Sequence, residues 1–146
     1  MGIGCLALLL LVFIVYMMGS REEFKERHED FIKGFVSDFS QNWNVADVSD
    51  LLTNEALESL LDEKGKRVLL QFSSFGKLIE IRDFEIGKYS ANADGKTVAE
   101  FSFKADFENV KSLVKIILHE NSDKPAIHFL YIEPISEITA PLKTEV

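Results

Sequence analysis

The chain of 146 residues is poor in the residue types that mark several classes of protein. It contains one Cys, three Pro and eight Gly. A single Cys cannot form an intramolecular disulfide, which excludes a small scaffold held together by disulfides. The low Gly and Pro content excludes a collagen-like chain, and an apolar share of 47% excludes a wholly disordered one.

Positive charge and known catalytic motifs are scarce as well. The chain has 16 Lys and Arg against 24 Asp and Glu, which gives a net charge of -8. Because no basic patch is present to neutralise phosphates, we expect no nucleic-acid partner. The sequence has no P-loop, G-x-G-x-x-G, H-E-x-x-H, C-x-x-C or G-x-S-x-G motif. We therefore expect no cofactor and no metal site.

The first twenty residues form an uncharged apolar leader. All 40 charged side chains lie in residues 21–146, and ten of the first twenty residues are Leu, Ile, Val or Phe. Twenty residues of helix span about 30 Å, the thickness of the hydrocarbon core of a bilayer. Those ten residues favour insertion by on the order of 3 to 6 kcal/mol. The sequence therefore predicts an uncleaved transmembrane anchor at residues 1–20, with the lipid bilayer as its partner.

A cleaved signal peptide is the main alternative to an anchor. Signal cleavage favours small residues at positions -3 and -1 and a basic segment before the apolar run. Cleavage after Gly19 or Ser20 would place Met17 or Met18 at position -3, and no Lys or Arg precedes the run. The alternative product, a secreted soluble binding protein, remains open at this point.

The charges that follow the leader bear on the side of the membrane that the domain occupies. Arg21, Lys25 and Arg27 follow the leader, which by the positive-inside rule would leave the domain in the cytoplasm. Five acidic side chains are mixed with them between residues 22 and 30, although acids carry little weight in this rule. Anchored bacterial domains of this size often face outwards. We expect a single-pass membrane protein with an extracytoplasmic domain.

Residues 21–76 have the apolar periodicity of helices. A capping-box pattern at Ser20–Glu23 predicts that a helix begins there and continues to about residue 41. Its aromatic residues share one face and are expected to pack in the core: Phe24, Phe31, Phe35 and Phe39. Shorter helices are predicted after Asn44 or Asp47, after Thr53 or Asn54, and at about 66–75 beyond a break at residues 62–65. Gly76 is predicted to end the last of them.

After Gly76 the apolar period changes from 3.6 to 2, which predicts strands. The first strand covers residues 79–86 and contains a phase slip at Arg82–Asp83 that is typical of a bulge. Asp94–Gly95 predicts a hairpin turn, and residues 99–107, 114–118 and 127–131 predict three further strands. The fold class is therefore α+β, with helices followed by a curved four-stranded antiparallel sheet at residues 21–135. Residues 136–146 form a predicted polar C-terminal tail.

This pattern resembles the nuclear transport factor 2-like (cystatin-like cone) superfamily. The resemblance rests on the Phe-rich first helix ending at Trp43, the segment Trp43–Val48, the segment Phe75–Leu78 and the long strands. It implies a sheet wrapped around the first helix to leave a cone-shaped pocket. Members of that superfamily include isomerases, dehydratases, transport adaptors and accessory domains. The layout of anchor and cone also resembles the membrane scaffold component of type IV secretion systems, although no motif of that family is present.

Three side chains are candidates for chemistry in such a pocket: Asp83, His119 and His128. A hairpin centred on Asp123–Lys124 would pair the two histidines across neighbouring strands, with Cβ atoms about 5 Å apart. No third metal ligand accompanies them. Asp83 lies at the predicted bulge, where turn formation is its ordinary role. His28 is expected at the border of the first helix's apolar face.

These observations predict a membrane-anchored accessory or binding domain that presents a cone-like fold to a protein partner or a small apolar ligand. The alternative is a pocket enzyme of the isomerase or dehydratase kind that uses Asp83, His119 or His128. With twelve Phe in the chain, we expect the interior of the cone to be largely filled.

Overall fold

The computed structural model of the chain describes residues 2–135, and these form a mixed α+β fold. The helical elements come first: α1 (Gly2–Asn42), a 3₁₀ helix (Val45–Leu51), α2 (Asn54–Leu61) and α3 (Glu63–Ser73). The strands follow: β1 (Leu78–Ala91), β2 (Lys96–Phe107), β3 (Lys111–Asn121) and β4 (Lys124–Pro134). The predicted order of helices followed by a four-stranded antiparallel sheet is confirmed. The predicted tail at residues 136–146 lies outside the described residues.

Helix α1 runs without interruption from Gly2 to Asn42, so the prediction that a helix begins at Ser20 is wrong. A capping box works only where the preceding residues leave the helical conformation. Gly19 and Ser20 are weak helix formers that cost about 1 kcal/mol or less each, and neither removes a main-chain hydrogen bond as proline would. The 41 residues therefore form one rod about 60 Å long.

The two halves of α1 have different surroundings. In the C-terminal half, the predicted apolar face packs in the core: Phe24, Phe35 and Phe39 are at most 3% exposed, and Phe31 is only partly buried against them. In the N-terminal half, seven apolar side chains are 58–70% exposed. They are Leu6, Leu8, Leu9, Leu10, Leu11, Val12 and Phe13.

Across the part of the chain that the structure describes, no helix combines the length and the apolar character that crossing a membrane requires. The anchor at residues 1–20 stays a prediction from the sequence.

Side chains cap each of the short helices, as the sequence predicted for the first two. The side chain of Asn44 accepts a hydrogen bond from the main chain of the 3₁₀ helix, and that of Thr53 accepts one from α2. The third helix begins earlier than predicted, because Asp62 alone separates α2 from α3. The same residue ends one helix and caps the next, so the interruption is one residue long, shorter than the break predicted at residues 62–65. Gly76 follows α3 with φ +83°, the left-handed conformation predicted for it.

The sheet has the strand order β1-β2-β3-β4, and one of its faces packs against α1. Phe101, Phe103, Ile116 and Leu118 on this face are at most 1% exposed, so the interior is largely filled with apolar side chains. The Asp94–Gly95 turn is present, with Gly95 at φ +80°. The irregularity predicted at Arg82–Asp83 is also present, as a register shift in β1. Bulges of this kind bend a strand and increase its twist.

Groups from the helical half of the chain cover parts of both sheet edges. The Arg21 guanidinium donates to the carbonyls of Ile86 and Gly87 in β1, at 2.9 and 2.7 Å. The main-chain N–H of Thr53 donates to the carbonyl of Ile127 in β4, at 2.9 Å. Covered edge groups are not available for pairing with another strand.

Candidate functional site

Asp83 lies at the bulge of β1 and faces outwards. Its main chain has φ +55°, which aspartate tolerates better than most residues. Its carboxylate lies 3.4 Å from the Lys104 ammonium, and the Asp83 side chain is 63% exposed. An ion pair this exposed contributes between about 0 and 1 kcal/mol. The geometry therefore explains Asp83 as a bulge residue on the outer surface.

His119 and His128 lie in contact, but through a different register from the predicted one. The hairpin turn is Ser122–Asp123, with φ +50° and +66°, so His119 pairs with Ala126 and not with His128. The register of β4 shifts by one residue beyond this point, between Ile127 and Phe129, and His128 is the additional residue. The shift brings the two imidazole rings into a stack with centroids 3.9 Å apart and planes 14° apart.

The surroundings of His119 disfavour positive charge on its imidazole. Burial, the neighbouring His128 and Lys96 lower the pKa of His119 from its ordinary value of 6.5, while Glu55 acts in the opposite direction. The Thr53 hydroxyl is within hydrogen-bond distance of His128 Nδ1, at 3.0 Å. In the described part of the chain, no three His, Cys, Asp or Glu side chains are arranged to hold a metal ion.

The two histidines and Asp83 lie at opposite ends of the sheet. His119 pairs with Val98 of β2, whereas Asp83 contacts Lys104 of the same strand. Six residues of extended strand span about 20 Å. The three predicted candidates therefore do not converge on one small substrate.

A buried polar pair that the sequence did not predict joins α1 to β3. His28 is 4% exposed and Glu120 is 6% exposed, which corrects the expectation that His28 lies at the border of the apolar face. His28 Nδ1 lies 2.9 Å from the carbonyl oxygen of Phe24, and Nε2 contacts the Glu120 carboxylate. Arg27 also contacts Glu120, at 3.2 Å, from a position that is 58% exposed.

Both ring nitrogens of His28 have hydrogen-bond partners. A carbonyl oxygen only accepts hydrogen bonds, so Nδ1 carries a hydrogen and donates it to Phe24. On the other side of the ring, Nε2 contacts the Glu120 carboxylate. Both buried polar groups therefore have hydrogen-bond partners, which makes their burial tolerable. Its position between a helix and a strand indicates a structural role in fixing α1 on the sheet.

An open groove of about 340 Å³ lies between α2, α3 and the edge of β4. Its walls are mostly apolar, which together with its volume is typical of sites for small or extended apolar ligands. The apolar lining includes Phe35, Leu52, Leu60, Val68, Phe72 and Ile132. His128 is among its polar residues, so the stacked histidines lie at its margin.

Local helix geometry creates this groove. α2 and α3 cross closely at Gly65, where an added Cβ would lie 2.2 Å from the main-chain oxygen of Ser59. The Asp62 carboxylate holds the junction by accepting from the Gly65 N–H at 2.7 Å. The two helices therefore meet at this junction, and residues of both line the groove opposite β4.

The chain matches no protein-family model, and a comparison with curated proteins also gives no match.

Proposed function

We propose that this chain is a membrane-anchored binding domain. Residues 1–20 lie in the bilayer, and the domain that follows presents the groove between α2, α3 and β4 to an apolar ligand or partner. The cone-like arrangement of the superfamily that the sequence resembles belongs to this proposal, and the order of helices and antiparallel strands supports it.

The observation that carries the proposal is that apolar side chains of α1 are exposed in its N-terminal half and buried in its C-terminal half. Seven apolar side chains between Leu6 and Phe13 are more than half exposed, whereas the same helix is packed in the core from Phe24 onwards. Soluble domains rarely expose so many large apolar side chains in one continuous patch. A lipid bilayer is the environment in which these side chains are stable, because they lie at the start of an uncharged run of twenty residues.

The contacts of Arg21 support an anchor that ends where the domain begins. Arg21 is the first charged residue, and its guanidinium bonds to two carbonyls of β1. The domain surface therefore starts within one residue of the predicted lipid boundary.

Vesicle flotation tests the anchor. Each Arg near the centre of a spanning helix costs about 2.5 to 3.5 kcal/mol, so the double variant L8R/V12R cancels the favourable insertion energy. The matched control is L61R/L70R, which introduces the same charges at leucines that are 54% and 72% exposed outside the leader. We expect the unmodified chain and the control to float with phosphatidylcholine vesicles, and L8R/V12R to remain in the aqueous fraction.

Mass spectrometry of the mature N-terminus completes this test. Flotation with Met1 present supports an anchor. Loss of the leader would favour the secreted binding protein, and an intact chain that does not float would refute the anchor.

Methyl NMR of the chain in lipid nanodiscs tests the groove, with indole as the probe. Indole is small enough for 340 Å³, and we expect it to shift the methyl signals of Leu60 and Val68, which line the groove. Leu70 lies on α3 outside the groove and is 72% exposed, so its methyl signals provide the internal control. Equal shifts at all three residues, or none, would refute the groove as a binding surface.

A further inference from the structure

The edge of β4 contributes main chain, as well as side chains, to the groove. Four consecutive residues, Phe129–Ile132, line it. Side chains of consecutive strand residues point to opposite faces of a sheet, so one face alone cannot supply all four. The groove is therefore open along the strand edge, where the main chain lies between the two faces.

Hydrogen bonding shows which main-chain groups point out of that edge. The N–H of Ile135 donates to the carbonyl of Lys111, at 2.8 Å, so the main-chain N–H of residue 135 points toward β3. Because successive residues of a strand alternate in direction, Leu130 and Ile132 direct their N–H and C=O away from β3. Pro134 occupies the same kind of position, where a residue without an N–H breaks no bond of the sheet.

The outward groups of Leu130 and Ile132 have no hydrogen-bond partner within residues 2–135. On one side the free edge ends at Ile127, whose carbonyl accepts from Thr53, and on the other it ends at Pro134. The free segment between these two positions accommodates about five residues of extended chain.

We infer that the groove binds an extended polypeptide segment, which adds to β4 as a fifth strand. An apolar surface alone would accept any apolar molecule, but free N–H and C=O groups at strand spacing require a partner with the same spacing. Peptide main chain has that spacing, and strand addition is a recurring mode of peptide recognition. This inference rests on the proposed function, because it specifies the ligand class of the same groove.

The side chains on either side of the edge define the peptide that fits. Leu130 and Ile132 point to the core face, so bound residues opposite them point into the apolar wall formed by Val68 and Phe72. The alternate residues lie on the outer face, near Phe129 and Tyr131, which are 48% and 45% exposed. The ligand is therefore a segment with apolar side chains at every second position.

The test uses a fluorescein-labelled heptapeptide of alternating valine and threonine, capped at both ends, with the full chain in nanodiscs. Two versions carry N-methyl groups, one on the valines and the other on the threonines. In an antiparallel addition the valines that face the groove also direct their N–H groups to β4, and in a parallel addition the threonines do. We expect one version to bind at least tenfold more weakly than the parent peptide, and that version identifies the strand direction.

Variants of the protein provide an independent test. L130P removes one outward N–H and leaves the bonds to β3 intact, whereas L130A removes a comparable part of the side chain and retains the N–H. We expect L130P to bind the peptide about tenfold more weakly than L130A, as the loss of one hydrogen bond at the upper end of the usual range predicts. Amide hydrogen exchange of β3 confirms that both variants are folded.

Several outcomes would overturn the inference. Equal affinity of both methylated peptides and the parent would show that no main-chain bonds form. A concentration-dependent dimer that L130P abolishes would assign the edge to a second copy of the chain. Indole shifts in the groove without peptide binding would leave the proposed function in place and refute strand addition alone.

Discussion

The buried pair of His28 and Glu120 allows the sharpest test of how the domain is held together. The two side chains are 5% and 8% exposed and lie 92 residues apart in sequence, so the contact joins α1 directly to β3. Removing one member of a buried ion pair generally costs about 3 to 5 kcal/mol, because the other member is left without compensation. Replacing both with apolar residues is often neutral or stabilising.

We expect H28L to lower the free energy of unfolding by about 3 kcal/mol. This value lies at the lower end of the range because Arg27 still contacts Glu120 at 3.2 Å. E120L should cost about 1 to 3 kcal/mol, since it leaves Nε2 of His28 without a partner. The double variant H28L/E120L should lie within about 1 kcal/mol of the unmodified chain, which makes the two changes strongly non-additive.

Urea unfolding in detergent micelles, followed by tryptophan fluorescence, measures these energies. Trp43 is the only tryptophan, is 7% exposed, and contacts the rings of Phe39 and Phe72. R27M is the control, because the exposed guanidinium of Arg27 should contribute less than about 1 kcal/mol to the free energy of unfolding. Additive losses in the double variant, or a loss below about 1 kcal/mol for H28L, would refute the assignment of a buried, mutually compensating pair.

Three further predictions concern the walls and margin of the groove. G65A should lower the free energy of unfolding by about 1 to 3 kcal/mol, because the added Cβ would clash with α2. In G34A the added Cβ meets nothing within 4 Å, so this variant should stabilise α1 by about 0.5 to 1 kcal/mol. Equal stabilities of the two variants in urea unfolding would contradict the close crossing of α2 and α3. The pKa of His119 is lowered in the folded chain, so the free energy of unfolding should fall as the pH decreases below about 6.5. H119Q should show a smaller fall when unfolding is measured between about pH 5 and 8. The same dependence of unfolding free energy on pH in both proteins would count against the lowered pKa. T53A should lower the stability by about 1 to 2 kcal/mol, because it removes the cap of α2 and the contact with His128. T53S keeps the hydroxyl and should retain most of this stability. Thermal unfolding monitored by circular dichroism compares the two variants, and equal losses would show that the hydroxyl does not contribute.

Local periodicity was sufficient to predict the elements and most of the core. The Phe24–Phe39 face and the alternation of residues 99–107 follow from helical and strand geometry, so they do not depend on distant parts of the chain. The restart at Ser20 was predicted wrongly because a capping signal carries no information about the conformation of the residues before it. The predicted β3–β4 turn lies one residue beyond the observed one. The reason is that Ser122 and Asp123 adopt positive φ without the glycine that usually marks such a turn.

The site features depend on tertiary placement and were harder to predict. His28 follows Phe24 by four residues, and Glu120 continues the core phase of Ile116 and Leu118, so the burial of both is consistent with their spacing, although His28 is expected at the border of the apolar face. Neither pattern alone showed that the two polar groups meet. The groove could not be predicted either, because it arises where α2 and α3 face an edge strand that forms more than fifty residues later in the chain.

The unbroken course of α1 has a mechanical consequence for an anchored protein. Because α1 is one uninterrupted helix, any tilt of the proposed span in a bilayer would also tilt the domain. Phe35, on the floor of the groove, lies fifteen residues beyond Ser20, which places it about 22 Å further along the rod. Under the proposed anchor, the groove would therefore keep a fixed distance along the helix axis from the end of the span, within reach of chains tethered to the same surface.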